Sequence, residues 1–310
     1  RAAQGMATDL LSTLLLVTRA PVLLCPAMNE RMYAHTQTQA NLRHLSEVLG
    51  YALAGPAVGP LAVGEGEGPG RLLESDEILE HLGRTLGSDP LWEGREVLVT
   101  AGPTREDIDP VRFIGNRSSG RMGFALARAA WRRGARVTLV TGPSPLTDPP
   151  GVEVIRVESA HEMAQAVLER TPTADVLVFA SAVGDYRPVE QKEQKLKRSR
   201  EEEELVVRFT PTQDIAKATL GVRKAGAVSL GFALETEELK ANAQRKLEEK
   251  GFDLIAANSA MEEGAGFEVE TNRVTVLDGE GGVEVLPVLS KDEVAERLLD
   301  RLTGLLPDPA

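Results

Sequence analysis

One stretch limits what this chain can fold into more than any other. The run Val97-Leu98-Val99-Thr100 passes into Gly102 to Gly123, GPTREDIDPVRFIGNRSSGRMG, and then into an amphipathic segment, Phe124 to Arg133. The order is strand, long polar loop, helix, with Ser118-Ser119-Gly120 expected in the first helical turn. A loop in that place offers free backbone N–H groups and the positive end of a helix dipole to an anion. It also carries Arg105, Arg112, Arg117, Arg121 and Asn116. A connection of this kind is too elaborate to be a simple link, and its chemistry suits a phosphorylated substrate.

The segments that follow alternate in the same way. Strands are expected at 95–100, 135–140, 152–157, 175–181, 204–209, 227–233 and 253–257, with a C-terminal hairpin at 273–277 and 283–288. Helices are expected at 119–133, 160–170, 213–220, 237–250 and 291–303. The strands at 95–100, 135–140 and 175–181 are near-continuous apolar runs, as required when helices cover both faces of a sheet. The fold class is therefore α/β, a doubly wound Rossmann-like domain with an antiparallel β-hairpin closed by Asp278 to Gly282. Ligands in that architecture bind past the carboxyl ends of the strands.

Residues 1–88 read differently. They give a helix from Asp9 to Thr18, a short strand Val22 to Cys25, a helix Thr38 to Leu49, a short strand Tyr51 to Ala54, a Gly-rich loop and a helix Ser75 to Leu86. Two strands make a poor sheet, so this block reads as half of an α/β layer domain. Gly87-Ser88-Asp89-Pro90 has linker chemistry, which divides the chain into 1–88 and 89–310. Because the chain starts with Arg1 rather than Met and opens inside what reads as a helix, a missing N-terminal portion is expected.

Composition narrows the function classes. A net charge of −12 over 310 residues argues against nonspecific binding to nucleic acid or to an anionic membrane. The apolar run from Leu10 to Met28 is broken by Arg19 and Pro21, too interrupted to span a bilayer. A single cysteine, Cys25, excludes an intrachain disulfide framework and suits a reducing, cytoplasmic compartment. Its apolar neighbours Val22-Leu23-Leu24 make it a buried structural thiol by expectation.

Chemistry-bearing residues gather in loops that leave strand ends. In Ala180 to Pro188 the small residues let a ligand approach the backbone, and Asp185 can hold a ribose hydroxyl or a metal ion. Lys195-Leu196-Lys197-Arg198 is a basic cluster able to grip a triphosphate, though each lysine taken alone reads equally as a solvated charge. Thr210 to Asp214 caps a short helix. Phe232 is either a core aromatic or a ring that stacks on a base. Lys246 and Lys250 share one helical face and hold phosphates or face water. A dinucleotide-binding oxidoreductase is disfavoured: no GxGxxG follows the strand, the spacing of Gly115, Gly120 and Gly123 is wrong, and Glu190 sits four after Tyr186 where a dehydrogenase wants lysine. No zinc-type spacing exists, and Cys25 is too isolated for a catalytic dyad.

In order, TAGPTREDIDPVRFIGNRSSGRMG, SAVGDYRP, KLKR, GFALET and DLIAAN resemble the bacterial bifunctional phosphopantothenoylcysteine decarboxylase/phosphopantothenate–cysteine ligase family of coenzyme A biosynthesis, over roughly residues 93–305. The resemblance implies that 4′-phosphopantothenate is activated by CTP as an acyl-cytidylate and that L-cysteine displaces CMP. It also implies Mg2+ with the nucleotide, without naming metal ligands. The nucleotide site would be Phe179, Ala180, Ser181, Asp185, Lys195, Gln213, Asp214, Ile215, Ala216, Phe232, Lys246 and Lys250. Lys195 would assist cytidylate formation, and Asn116 would hold the acyl-cytidylate carbonyl, with Arg112 and Ala182 nearby. Ser181-Ala182-Val183-Gly184-Asp185 stands where the family usually has Ala-Ala-Val-Ala-Asp, and Gln213 where it has Pro.

The first block is similar to the C-terminal half of the family's FMN-dependent decarboxylase domain. Pro26-Ala27-Met28-Asn29-Glu30-Arg31-Met32-Tyr33 matches a PxMNxxMW motif, with Tyr for Trp. The resemblance puts Met28 and Asn29 beside flavin and substrate. In the flap Leu61 to Glu65, Val63 stands where the family has its catalytic Cys, and valine cannot donate a proton. Decarboxylation and firm FMN binding are therefore not expected. The family implies a homo-oligomer: a ligase dimer, within a larger assembly when the decarboxylase domain is complete. Two other readings stand beside this one, an NAD(P)-binding oxidoreductase and a non-catalytic assembly role for the first block.

Overall fold

The computed structural model describes residues 1–61, 66–197, 204–235, 237–259 and 271–308. They form two compact units, Arg1–Ser88 and Asp89–Ala310.

In the first unit, α1 (Leu10–Val17) starts where the Asp9 carboxylate accepts the Ser12 N–H at 2.8 Å and the Ser12 hydroxyl accepts the Asp9 N–H at 3.1 Å. Strand β1 (Leu23–Leu24) pairs in parallel with β2 (Ala52–Leu53). Between them lie α2 (Glu30–Ala34), capped by Asn29, and α3 (Thr36–Arg43). A hairpin of β3 (Ala57–Pro60) and β4 (Glu67–Arg71) follows, then α4 (Ser75–Gly87).

Three expectations are corrected here. The helix placed at 38–49 begins at Thr36 and widens into a π turn over His44–Val48. The Gly-rich loop is partly a hairpin, and its glycines allow close approach: a Cβ at Gly68 would lie 2.7 Å from the Glu30 carboxyl carbon. Cys25 is half-buried rather than enclosed, because β1 pairs with a single strand.

The second unit begins with β5 (Glu96–Ala101). The polar loop after it contains a small hairpin, β6 (Arg105–Asp107) and β7 (Phe113–Gly115). Next come α5 (Arg121–Arg132), β8 (Arg136–Thr141), β9 (Glu153–Arg156), α6 (Ala160–Arg170) and β10 (Val176–Phe179). A second hairpin pairs β11 (Tyr186–Pro188) with β12 (Phe209–Pro211) and leads to α7 (Ile215–Thr219). The chain then runs through β13 (Val228–Glu235), α8 (Leu239–Lys250) and β14 (Leu254–Ser259). It ends with β15 (Thr271–Asn272), β16 (Thr275–Asp278), β17 (Val283–Val285), β18 (Leu289–Ser290) and α9 (Lys291–Thr303).

Among the described residues the main sheet has the order β17-β16-β14-β13-β10-β5-β8-β9. From β14 to β9 all pairings are parallel, and β16 and β17 add antiparallel. The doubly wound expectation and its antiparallel C-terminal hairpin hold.

Alternation along β5 explains the two helical layers, since successive side chains leave a strand on opposite faces. Val97 and Val99 pack with Phe124 and Leu126 of α5 and with Leu298, Leu299 and Leu302 of α9. Leu98 packs with Val140, Leu177, Met163 and Val167 and with Ile215 of α7. Each fully buried leucine contributes about 1.5–3 kcal/mol. Both α6 and α9 start with Ser-x-x-Glu capping boxes, Ser159 with Glu162 and Ser290 with Glu293.

Helix α5 starts at Arg121, so Ser118-Ser119-Gly120 precede the helix rather than form its first turn. The strand expected at 204–209 is found only as Phe209–Pro211, and it pairs outside the main sheet. Leu205 and Val206, which suggested it, are exposed. The strand expected to reach residue 181 ends at Phe179, where the backbone turns to bond the loop after β5. Among the described residues no helix is long and apolar enough to cross a membrane.

Candidate active site

From β5 the chain winds through β8 and β9 to one side, then returns to lay β10 on the other side of β5. The loops leaving β5 and β10 therefore diverge, which is where open parallel sheets bind ligands. Here the two loops are also stitched together at their roots. Buried Thr100 accepts the Ser181 hydroxyl at 2.9 Å, and Ala182 N–H donates to Gly102 at 2.8 Å. Buried Thr104 accepts the Gly184 N–H through its hydroxyl at 2.8 Å. Asn116, just past β7, reaches across the seam and donates through Nδ2 to the Val183 carbonyl at 2.9 Å.

A cleft of about 430 Å³ opens over this seam, and every residue that lines it belongs to Asp89–Ala310. Asn116, Ser118, Gly120, Arg121 and Met122 form one wall. Gly120 is the N-cap of α5 with φ 80°, a conformation that favours glycine. It has no side chain to cap the helix, so the first-turn N–H groups face the cleft without a capping side chain.

The opposite wall comes from α7, β13 and α8. Asp214 caps α7 by accepting the Lys217 N–H at 3.1 Å and pairs with Lys250 at 3.3 Å. Lys246 pairs with Glu235 at 2.6 Å. Behind this wall the rings of Phe179 and Phe252 pack at 5.4 Å. A Cβ on Gly231 would fall 2.1 Å from the Phe252 ring, so only glycine lets that ring lie on β13. The guanidinium of Arg223 covers both rings at 5.8 and 5.9 Å. It donates to the carbonyls of Ala216, Lys250 and Gly251 at 3.2, 3.0 and 2.5 Å, which fixes the spacing of α7 and α8. Burial draws its pKa below the ordinary arginine value, opposed by the Asp253 charge.

Of the residues anticipated for the nucleotide, Phe179, Ala180, Ser181, Asp185, Gln213, Asp214, Ile215, Ala216, Phe232, Lys246 and Lys250 all line this cleft, as do Asn116 and Ala182. Arg112 and Lys195 do not. Arg112 donates to the Asp109 carboxylate at 3.3 Å and to the Leu196 carbonyl at 3.1 Å. Asp109 is 1% exposed and accepts the backbone N–H groups of Val111, Arg112 and Leu196 at 2.8, 2.9 and 3.1 Å. Burial alone would raise its pKa, but those three N–H groups and Arg112 bring it below the ordinary carboxylate value. Asp109 thus anchors the segment that carries exposed Lys195. Arg198 and Val63 lie outside the described residues. Met28 and Asn29 belong to Arg1–Ser88: Met28 N–H donates to Gly70 at 2.8 Å, and Asn29 Oδ1 accepts the Arg31 N–H at 2.9 Å.

Among the polar lining residues, Asn272 and Lys291 belong to no motif singled out in the sequence, whereas Arg121 lies in the loop after β5 and Asn258 ends DLIAAN. Lys291 is 7% exposed, and burial together with the Arg121 charge lowers its pKa to about 8. A lysine in the first turn of a helix sits against the dipole, which is the signal the sequence offered. Asn272 is 4% exposed, and its Oδ1 meets no hydrogen-bond partner among the described residues. Among those residues no group of three or more His, Cys, Asp or Glu could hold a metal ion.

Comparison with known proteins agrees with this layout. Residues 92–305 match the family described as DNA/pantothenate metabolism flavoprotein C-terminal domain, and residues 1–87 match the Flavoprotein family. A coenzyme A biosynthesis bifunctional protein CoaBC of Vibrio cholerae is 43% identical over 299 residues, 96% of this chain and 74% of the relative. A cysteine/cysteine sulfinic acid decarboxylase of an unknown prokaryotic organism is 40% identical over 309 residues, 98% of this chain and 85% of the relative. The solved C-terminal domain of a CoaBC protein matches with a TM-score of 0.61 at 37% identity, covering 71% of this chain and 100% of that domain. With the doubly wound sheet, the cleft at its switch point and these matches together, the chain belongs to the family of CoaBC bifunctional proteins of coenzyme A biosynthesis.

Proposed function

We propose that Asp89–Ala310 joins 4′-phosphopantothenate to L-cysteine at the expense of CTP. The observation that carries this is the convergence of eleven anticipated nucleotide residues on one cleft, with Asn116 on its facing wall. In the first step a carboxylate oxygen attacks the α-phosphorus of CTP; a P–O bond forms and pyrophosphate leaves. In the second the cysteine amine adds to the acyl carbon, CMP leaves, and the amine proton passes to solvent. Fixed donors aimed at developing charge supply the larger part of such catalysis. Asn116 Nδ2 donates to the Val183 carbonyl at 2.9 Å and at longer range to the Ala182 carbonyl at 3.4 Å, and giving up the longer contact frees a hydrogen to hold the acyl carbonyl. The uncapped N-terminus of α5 faces an anion. Lys246 and Lys250 exchange Glu235 and Asp214 for phosphoryl oxygens, and Lys195, on the segment anchored by Asp109, assists cytidylate formation with Arg112 as its tether.

Mg2+ usually takes one or two carboxylates, with phosphate oxygens and water completing its shell. That fits a cleft in which Asp214 is committed to Lys250 and the α7 cap while Asp185 is open. Asp185 would hold the ion, which would supply charge neutralisation on the triphosphate.

For the first unit, FMN is the cofactor the family implies. Asn29 has its oxygen engaged by Arg31 and its Nδ2 hydrogens available, which fits a hydrogen bond to a flavin or a substrate carboxylate; a bound flavin would supply electron-accepting chemistry. We propose that this unit does not decarboxylate, because Val63 cannot donate a proton. The relative named as a cysteine/cysteine sulfinic acid decarboxylase favours the opposite reading. Carbon dioxide release from phosphopantothenoylcysteine, and separately from free cysteine, tests it: none is expected, and release from either substrate refutes the proposal. The ligase reading is tested by following pyrophosphate with CTP or ATP in its place. Release that needs CTP and phosphopantothenate supports it, and equal rates with ATP contradict the nucleotide assignment.

A further inference from the structure

The bond from Asn116 Nδ2 to the Val183 carbonyl is the shorter of the two that hold this side chain, 2.9 Å against 3.4 Å to Ala182. Both partners in that bond are set by one residue that does not line the cleft, Thr104. Thr104 is 0% exposed. On the donor side, Asn116 follows Gly115, and a Cβ on Gly115 would fall 2.6 Å from the Thr104 carbonyl oxygen. Only glycine lets β7 lie that close, which seats the backbone that carries Asn116 on Thr104. On the acceptor side, the Thr104 hydroxyl accepts the Gly184 N–H at 2.8 Å. That N–H and the Val183 carbonyl belong to one planar peptide group and point in opposite directions. Holding the N–H on Thr104 therefore aims the carbonyl. The far side of Gly184 is held as well: Thr212 Oγ1 donates to the Gly184 carbonyl at 2.5 Å, and the Thr212 N–H donates to the Asp185 carbonyl at 2.9 Å. Gly184 is buried, so an N–H released from Thr104 costs free energy until it finds another acceptor. A glycine resists rotation of its own peptide less than other residues do, so the clamp matters more at this position.

We propose that Thr104 is a positioning residue for the second step, amide formation, and that it acts through the Val183–Gly184 peptide. This rests on the ligase reading and on the role given to Asn116 in it. When Asn116 gives up Ala182 for the acyl carbonyl, the Val183 carbonyl is the anchor it keeps. The direction of that carbonyl then decides where the second Nδ2 hydrogen points, and Thr104 decides the direction of the carbonyl. Without the Thr104 hydroxyl the peptide turns its N–H to another acceptor, and Asn116 is drawn off the acyl oxygen. Attack on the α-phosphorus draws on the opposite wall of the cleft, so the first step is spared. A displacement of about 1 Å at such a donor costs up to about 10²-fold in rate.

The test separates the two steps by rapid quench of the full chain, with CTP, phosphopantothenate and Mg2+ mixed first and L-cysteine added second. Thr104→Val should slow amide formation about 10–100-fold, while pyrophosphate release before cysteine stays within about threefold of wild type. Thr104→Ser keeps the hydroxyl and should return amide formation to within about threefold of wild type. In an Asn116→Ala background, Thr104→Val should cost less than about twofold more, because both changes act through one bond. If Thr104→Val fails to fold, Thr104→Ala, which removes the hydroxyl without adding bulk, carries the same comparison. Equal loss of both steps in a folded variant overturns the positioning role. So does a serine variant that does not recover, or a cost that multiplies with that of Asn116→Ala. A wild type that does not join cysteine to phosphopantothenate overturns the ligase reading itself, and the positioning role falls with it.

Discussion

The two ends of the cleft hold their cations in opposite ways. At the α7–α8 end, Lys246 and Lys250 each have a carboxylate of the same chain within 3.3 Å, Glu235 and Asp214. At the α5–α9 end, Lys291 is more deeply buried, and burial first, then the Arg121 charge, lowers its pKa to about 8. A paired lysine is stabilised before ligand arrives and must exchange partners to bind. A buried lysine has given up water, and that disfavours its charged form. The first arrangement holds charge by pairing, and the second keeps it at a cost in hydration.

The largest effect expected lies between the two ends. Asn116→Ala should lower amide formation by about 10²–10³-fold, the usual cost of removing a charge-stabilising donor, while acyl-cytidylate formation stays within about tenfold. Rapid-quench separation of the two half-reactions checks this, and equal loss of both steps removes the role assigned to Asn116. Next come the lysines. Lys250→Met should raise the nucleotide KM about tenfold and lower the melting temperature, because Asp214 loses its partner. Lys291→Met removes a charge that burial disfavours and should lower the melting temperature less than Lys250→Met does. If both variants behave alike in thermal melts, the contrast between the ends fails.

A smaller effect is expected from Asp109→Asn. The backbone N–H groups it accepts would be held more weakly, releasing the segment that carries Lys195. A fall of several-fold in kcat with the cysteine KM unchanged is expected in steady-state assays. Smallest is a pH effect. Lys291 loses its proton near pH 8 in the folded protein, against an ordinary value of 10.5. Its contribution to stability, read in thermal melts, follows: the folded state is the one that releases the proton first, so the cost of burying the charge is full below pH 8 and is relieved between 8 and 10.5.

What could be seen in advance followed the physics of each element. Strands β5, β8 and β10 are covered on both faces and declared themselves as apolar runs. Helices α6 and α9 announced their starts through Ser-x-x-Glu. The hairpin β6–β7 was hidden in a polar loop because its stability is tertiary: Glu106, buried, accepts the Ala160 N–H at 2.8 Å. Residues 204–208 alternate like a strand, yet β12 begins only at Phe209, where β11 supplies a partner. In the site, the motif residues after β5, β10 and β13 converge because parallel strands end on one side. Arg112 was drawn away by Asp109, a capture that sequence spacing does not reveal. Asn272 and Lys291 line one cleft because β15 pairs with β18, which sets Asn272 opposite Leu289.

The central claim is that this cleft activates a carboxylate with CTP before cysteine takes part. Incubating the purified chain with CTP, phosphopantothenate and Mg2+, without cysteine, and measuring pyrophosphate tests it most directly. The account predicts a burst of about one pyrophosphate per active site, absent without phosphopantothenate and much smaller with ATP. No pyrophosphate until cysteine is added would contradict it.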